Sequence, residues 1–399
     1  MTKSLLRSQF ESTPPDWQLI PLKRLMRVYS GKEVPLEVPP SETAVPVYGS
    51  GADPFKYTVE SISDKPSILF GRKGTLGQPY IVEPPFWAVD TAYIGMPQKG
   101  MDIQYLNYLL QVFDWQPFIT NTAKPSLVAN DILPEKVPVP TESERIRILH
   151  FLAQKSLEID GLVGKLQREA ALLEQYRCEL IAHTVTRGLD HNAEMHESGV
   201  EWIGTTPATW RLLRISALYD LRSTKVSDKQ YPPLSVTKNG VVPQLDSVAK
   251  TDDGDNRRLI RAGDFVINSR SDRRGACGIA PQDGSCSLIN IVLAPQESIY
   301  NPYFSYLFGS AAFSDEFYRW GHGIHDDLWT TNWIDMKSIQ VPVPPVGEQI
   351  AIAKYLDDKL SEIDLALEHI NRQIELLGIY RKQVINDAVT GKIRIGEVA

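Results

Sequence analysis

Two short stretches combine glycine, arginine and lysine in a way that suits contact with a polyanion. They are Gly71-Arg72-Lys73-Gly74-Thr75-Leu76-Gly77 and Ser269-Arg270-Ser271-Asp272-Arg273-Arg274-Gly275-Ala276-Cys277-Gly278. Glycines let a backbone approach a phosphate closely, and the basic side chains neutralise it. A tight hairpin uses the same letters, so either stretch alone is ambiguous; recurrence in both halves favours nucleic acid. Each half also carries a later polar loop, Thr120-Asn121-Thr122-Ala123-Lys124-Pro125-Ser126-Leu127 and Trp320-Gly321-His322-Gly323-Ile324-His325-Asp326-Asp327-Leu328. Asn, Lys, Ser and His bond base edges or phosphates. The residues expected to contact DNA are therefore Arg72, Lys73 and Lys124 in the first half, and Arg270, Arg273, Arg274 and His325 in the second. Arginine suits bidentate recognition of guanine, and lysine suits phosphate. His322, His325, Asp326 and Asp327 also have metal-ligating side chains, but the matching loop of the first half has none, and no metal site is expected.

Other reactive letters do not assemble into an active site. No Walker-type glycine loop is present, so ATP hydrolysis in this chain is not expected. Asn301-Pro302-Tyr303-Phe304 is near the Asn-Pro-Pro-Phe tetrapeptide of DNA adenine methyltransferases, but it lacks the second proline and no glycine-rich cofactor turn precedes it. Asp357-Asp358-Lys359 has the letters of a nuclease fragment but falls on a helical pattern rather than a strand. Cys277 and Cys286 have no partner for nucleophilic catalysis. No catalytic residue is assigned, and no cofactor is expected in this chain.

Composition narrows the class. The net charge of −7 argues against indiscriminate coating of nucleic acid, but it permits local basic faces such as Lys23, Arg24 and Arg27 or Arg257, Arg258 and Arg261. Three cysteines are too few for a disulfide framework. No apolar run approaches the roughly 18 residues of a membrane span, and Met1–Arg7 lacks the apolar stretch of a secretion signal. A cytoplasmic location with no membrane contact is expected.

The elements that must position these loops are written twice. Val137-Pro138-Val139-Pro140 recurs as Val341-Pro342-Val343-Pro344, and the ungapped match continues through Glu144/Glu348, Glu158-Ile159-Asp160/Glu362-Ile363-Asp364, Tyr176-Arg177/Tyr380-Arg381 and Val185-Thr186/Val389-Thr390. Roughly two residues in five are identical over about 50 positions, the mark of a duplication. Pro14-Pro15-Asp16-Trp17-Gln18-Leu19 and Pro207-Ala208-Thr209-Trp210-Arg211-Leu212 open the two copies. Between these markers lie two divergent inserts that read as mixed α/β, with short strands at Ser67–Phe70 and Asp264–Asn268.

The repeated segments read as long helices. Proline is absent from Glu142 to Arg187, and Ile159, Val163, Leu166, Ala170, Leu173, Arg177 and Leu180 follow a 4,3 spacing. Ile363, Leu367, Ile370, Ile374, Leu377, Arg381 and Val384 repeat it. About 45 helical residues reach roughly 65–70 Å. The simplest burial of two such stripes is an antiparallel coiled coil along the seam Ile159, Val163, Leu166 and Leu173 with Ile363, Leu367, Ile370 and Leu377. Gly188 and Gly391 suit the helix exits. Glu144 and Glu348 suit the positive end of each helix dipole. The expected plan is a globular domain over 1–140, a central helix over 141–189, a second domain over 190–344 and a C-terminal helix over 345–399, related by an internal pseudo-twofold repeat.

This frame resembles the specificity (S) subunits of type I restriction–modification systems. The shared marks are Ser198-Gly199-Val200-Glu201-Trp202-Ile203-Gly204 ahead of Pro207 and Trp210, the Arg-Lys-Gly-Thr-Leu-Gly type loop, and the Val-Pro-Val-Pro exit running into Glu348–Leu356 and Glu-Ile-Asp. The first copy departs from the pattern, with Phe10-Glu11-Ser12-Thr13 where Trp-Ile-Gly is usual. The resemblance covers nearly the whole chain. It implies two target recognition domains reading half-sites of a bipartite DNA target, about one helical turn or 10 base pairs apart. It also implies partners: double-stranded DNA, two adenine-N6 methyltransferase (M) subunits using S-adenosylmethionine, and restriction/translocase (R) subunits using ATP and Mg. Catalysis would belong to those partners. The expectation for this chain is a non-catalytic role in phage defence.

Overall fold

The computed structural model describes residue 10 and residues 13–244, 254–323 and 329–396. Two compact units divide the chain. Unit 1 takes Met1–Leu166 with Asn371–Ala399, and unit 2 takes Gln167–Ile370. No helix among the described residues is long and apolar enough to cross a membrane.

Unit 1 runs through β1 (Gln18–Pro21), β2 (Met26–Ser30), β3 (Val45–Tyr48), β4 (Lys56–Thr58), β5 (Ser67–Gly71), β6 (Tyr80–Val82), β7 (Trp87–Ala88) and β8 (Ala92–Pro97). Helix α1 (Ile103–Val112), the single turn α2 (Ala129–Ile132), β9 (Lys136–Val139) and the long helix α3 (Glu142–Arg187) follow, α3 belonging to unit 1 as far as Leu166 and to unit 2 from Gln167. Strands order as β2-β8-β5-β6 in an antiparallel sheet, beside a smaller sheet β4-β3-β7. Every residue of β5 is buried, as an uninterrupted apolar run predicts for a strand covered on both faces. Its period of two decides what covers each face. Ile68 and Phe70 join the cluster containing Tyr105, Leu106, Leu109 and Leu110 of α1, whereas Leu69 joins Phe86 and Ala88 on the other side. Asp102 starts α1 by accepting from the amides of Gln104 (2.8 Å) and Tyr105 (3.1 Å), which satisfies donors the first turn leaves open.

Unit 2 opens with β10 (Met195–Glu197), β11 (Thr205–Pro207), β12 (Arg211–Arg214), β13 (Tyr219–Leu221), β14 (Lys225–Val226), β15 (Leu234–Thr237) and β16 (Gly240–Pro243). It continues with β17 (Arg257–Ile260), β18 (Phe265–Asn268), β19 (Cys277–Ile279), β20 (Gly284–Cys286) and β21 (Asn290–Pro295). Helices α4 (Asn301–Gly309), α5 (Ala311–Arg319) and α6 (Trp333–Met336), strand β22 (Gln340–Val343) and the long helix α7 (Val346–Thr390), of which the part up to Ile370 belongs to this unit, complete it. The sheet β13-β21-β18-β19 repeats the order of β2-β8-β5-β6, whereas the smaller sheet β14-β17-β20 is antiparallel throughout and that of unit 1 pairs β3 with β7 in parallel. Among the described residues, the hairpin β15-β16 and helix α5 have no counterpart in unit 1.

Each insert leaves from and returns to one two-stranded clasp. The opening strand β1 pairs antiparallel with the Val-Pro-Val strand β9 (Leu19 opposite Pro138), and β12 pairs with β22 (Leu212 opposite Pro342). The clasp is why the repeat is strongest at the two edges of each insert: divergent residues hang from a fixed pair of strands.

The helices run antiparallel within each unit. In unit 1 Arg381 bonds Asp160, and in unit 2 Arg177 bonds Asp364. Along both helices the 4,3 positions are the covered ones: Ile159, Ile363 and Ile370 are buried, and Val163, Leu166, Leu173, Leu367 and Leu377 are half-buried. The two arginines that interrupt the apolar stripe are thus the residues that meet the aspartates of the repeated Glu-Ile-Asp. The mixed α/β class, with two domains and a pair of long antiparallel helices, is the one expected.

Candidate nucleic-acid interface

In unit 1 the loop leaving β5 depends on glycine at its root. A Cβ on Gly71 would lie 1.7 Å from the Thr75 carbonyl oxygen, so no side chain fits. The amides of Arg72 and Lys73 both donate to the Thr91 carbonyl, at 2.8 and 3.2 Å. This backbone is pinned to the sheet while its side chains reach outward. Arg72 donates through Nη1 to the Asp90 carbonyl (3.5 Å), and its guanidinium lies 5.9 Å from the Tyr93 ring centre. Lys73 Nζ is 3.5 Å from the Asp90 carboxylate with about half its side chain exposed. Such exposed pairs are weak in water, and both cations can exchange them for a phosphate.

The second loop of unit 1 docks on the first. Leu127 N donates to Arg72 O (2.9 Å), and Lys73 and Ser126 form an isolated antiparallel bridge. Lys124 is exposed at the tip of this loop, where its carbonyl accepts from Thr122 Oγ1 at 2.9 Å. Two segments some fifty residues apart in the chain therefore present the expected basic residues from one place.

Unit 2 builds the same junction from different letters. Ser271 N donates to Trp329 O (2.9 Å) and Thr331 N to Ser269 O (3.0 Å), with an isolated bridge between Arg270 and Thr330. Asp272 lies between Arg270 (3.3 Å) and Arg273 (3.8 Å). Arg273 is the most exposed of these arginines, at 69% of its side chain. Arg274 donates to Asp315 (3.0 Å) in another exposed pair and lies 5.2 Å from the Tyr318 ring centre. His322 Nε2 sits 3.4 Å from the Asp335 carboxylate. His325 lies outside the described residues, as do Asp326 and Asp327. Among the described residues no cluster of three or more His, Cys, Asp or Glu could hold a metal.

The other candidate motifs are absorbed by packing. Asn301-Pro302-Tyr303-Phe304 opens α4, with Tyr303 and Phe304 fully buried and Asn301 donating to Gly263 O at 2.7 Å. Asp357 on α7 accepts from the Tyr306 hydroxyl. Burial pushes the thiols of Cys277 and Cys286 up to about 12 and about 11. Arg257 and Arg258 bond Ser285 and Asn290 O and are buried or half-buried, whereas Arg261 pairs with Asp283 at the surface.

Sequence reasoning gave Glu144 and Glu348 no role beyond the helix dipole; the structure adds one. Trp17 Nε1 donates to Glu144 Oε2 at 3.0 Å, and Trp210 Nε1 donates to Glu348 Oε2 at 2.9 Å. The signal was available, since both partners are repeat markers. A second pair of ties was not anticipated. The Tyr303 hydroxyl donates to Val185 O (2.8 Å) and is 3.3 Å from Pro342 O, while Tyr105 makes the corresponding contacts with Val389 O (3.5 Å) and Pro138 O (3.3 Å). The helix exits close on the same spot. Gly188 and Gly391 have φ of 75° and 76°, and a Cβ there would meet the Trp210 ring at 3.0 Å or Pro14 at 2.3 Å.

Fold and site together define a duplicated mixed α/β protein, each copy holding a pair of loops on a clasp and a share of two long helices. No family model matches the chain. It is 25% identical over 329 residues to a Methanocaldococcus jannaschii protein named as the specificity subunit of type I restriction enzyme MjaX, covering 75% of this chain and 70% of that one. The specificity subunit of type I restriction enzyme MjaVIII, from the same organism, is 21% identical over 359 residues, 84% of this chain and 77% of the relative. A solved chain from work on complex assembly and conformational transition of the type I R-M system has the same fold, with a TM-score of 0.67 at 14% identity over 96% of this chain and 100% of that one. The chain is thus similar in sequence to type I restriction enzyme specificity subunits and shares its fold with a solved chain from such a system.

Proposed function

We propose that this chain reads a two-part DNA target and presents it to catalytic partners, without catalysing a reaction itself. The recognition domains are residues 1–140 and 190–344, and the helices 141–189 and 345–399 form the scaffold. What carries the reading is the repeated junction: at the end of the same sheet strand in each unit, a basic loop is hydrogen-bonded to a second polar loop. Arg72, Lys73 and Lys124 serve one half-site; Arg270, Arg273, Arg274 and His325 serve the other. The partners we propose are those the family resemblance implies: two adenine-N6 methyltransferase subunits with S-adenosylmethionine, and restriction/translocase subunits with ATP and Mg, acting on DNA in the cytoplasm.

The test is a methylation map of host DNA with and without this gene, in a strain expressing the methyltransferase. A split adenine-methylated motif that disappears with the gene is expected. An unchanged map, with the partner expressed, refutes target selection and leaves protein–protein adaptation. In vitro, duplex binding should weaken steeply with salt, because each phosphate contact releases counterions. Purified chain incubated with labelled S-adenosylmethionine should transfer no label; transfer would make it an enzyme.

A further inference from the structure

The basic loop of unit 1 has an exposed aromatic neighbour. Residues 49–55 join β3 to β4 and dock on that loop. Thr75 N donates to Ser50 Oγ at 3.3 Å, and the Tyr80 hydroxyl lies 3.1 Å from Gly49 O and 2.6 Å from Gly51 O. Phe55 closes the segment. Its amide donates to Val47 O (3.1 Å), which fixes the backbone, yet the residue is 56% exposed. A Cβ on Gly49 would lie 3.3 Å from Thr91 Oγ1 and 3.5 Å from the Phe55 ring. Ring and Thr91 therefore gather round one point of the backbone, and Thr91 O accepts the amides of both Arg72 and Lys73. The phenyl group stands beside the two cations.

Unit 2 brings apolar side chains to its own junction. The sheet ladder ends at Asn268 opposite Asn290, and one step further Ser269 N donates to Ile289 O at 3.2 Å. This is the step at which Arg72 N meets Thr91 O beyond Gly71 and Ala92 in unit 1. Ile289 is 43% exposed and its neighbour Leu288 36%. Ile289 and Arg273 line one cavity.

Exposed apolar residues scattered singly are normal, and Leu36 and Val59 of unit 1 are as exposed as Phe55. What separates Phe55 and Ile289 is their company. A hydrocarbon side chain has no donor to offer a phosphate. Beside cations that take phosphates, its partners on a duplex are the apolar parts of the bases, the thymine methyl and the stacked faces.

We propose that Phe55 and Ile289 are base-contacting residues, one for each half-site, each packing on a base while the neighbouring cations hold the backbone. The proposal rests on the DNA-reading function above and divides its labour, since phosphate contacts position a protein and base contacts specify the sequence.

The test selects duplexes from a randomised pool with the full chain expressed together with its methyltransferase. It compares wild type with Phe55→Ala, Phe55→Tyr, Ile289→Ala and Lys73→Ala. Phe55→Ala should lose roughly tenfold of discrimination at one position of one half-site. Ile289→Ala should lose a smaller factor at one position of the other. Phe55→Tyr, which keeps the ring, should retain the wild-type profile. The untouched half-site of each variant shows that the chain still folds. Phe55→Ala should keep the wild-type salt dependence, because a ring releases no counterion, whereas Lys73→Ala should lower the slope by about 1. An unchanged profile, a loss spread evenly over all sequences, a shallower salt slope in Phe55→Ala, or equal losses in Phe55→Ala and Phe55→Tyr overturns the base contact while leaving DNA reading intact. Loss of the methyltransferase from the Phe55→Ala complex, with the duplex profile unchanged, also overturns it, by making Phe55 a protein contact. Wild type without any duplex preference refutes the DNA-reading function itself, and the base contacts with it.

Discussion

Removing the Glu144 carboxylate should cost more than its position near a helix terminus suggests. The side chain is buried, accepts from Trp17 Nε1 at 3.0 Å and lies 3.4 Å from Arg394 Nε. Glu144→Ala strands the buried indole N–H, which costs about 1–3 kcal/mol. The Arg394 contact adds less than about 1 kcal/mol, because Arg394 is partly exposed and keeps a two-point bond to Asp16 at 2.7 and 2.9 Å. The sum is about 1–4 kcal/mol. At about 2–4 °C per kcal/mol for units of this size, the melting transition should fall by roughly 2–16 °C. Glu144→Gln keeps an acceptor for Trp17 and should lose no more than about half as much. The assay is urea unfolding followed by circular dichroism, in a double-mutant cycle with Trp17→Phe. A coupling of at least about 1 kcal/mol is expected between the two sites. Additive losses, or an alanine variant as stable as the glutamine one, would refute the claim that the Trp–Glu bond joins the opening strand to the helix. Glu348→Ala, which releases Trp210, should reproduce the effect.

Three further outcomes follow from the same geometry. Tyr303→Phe leaves the Val185 carbonyl without its 2.8 Å donor and should destabilise by about 1–2 kcal/mol in the same unfolding assay; no change would mean that water replaces the hydroxyl. Cys178 is exposed, whereas Cys277 and Cys286 are buried with thiols pushed up to about 12 and about 11. At pH 8 a thiol reagent should therefore label one cysteine in the native chain and all three in denaturant, since the thiolate is the reactive form; fast native labelling of a second would contradict the burial. If Arg273 reads a base, Arg273→Ala should cost about 1–3 kcal/mol in binding and relax one position of the target; equal weakening on every sequence would make it a phosphate contact.

The sequence by itself determined the frame. A 4,3 stripe written twice leaves two long helices no cheaper burial than each other, and Val-Pro-Val-Pro with its tryptophan-bearing counterpart marks the edges of each insert. Apolar runs such as Ile68–Phe70 suit a central strand, because a strand covered on both faces is apolar without alternation. These signals are local or periodic, so they are legible along the chain. The pairing of Arg72 with Leu127, or of Ser271 with Trp329, is neither. It depends on which loops a sheet brings together, and that is settled only when the strands choose their neighbours. The same holds for Asn268 and Asn290: twenty-two positions apart in sequence, they become opposite partners in one ladder register. Charge misled for a related reason. Arg257 and Arg273 are the same letter, yet the first lies inside the fold against Ser285 and the second projects from it. Composition records how many cations a chain has; tertiary structure decides which of them still face the solvent, because burial and partners are assigned only once the core has closed.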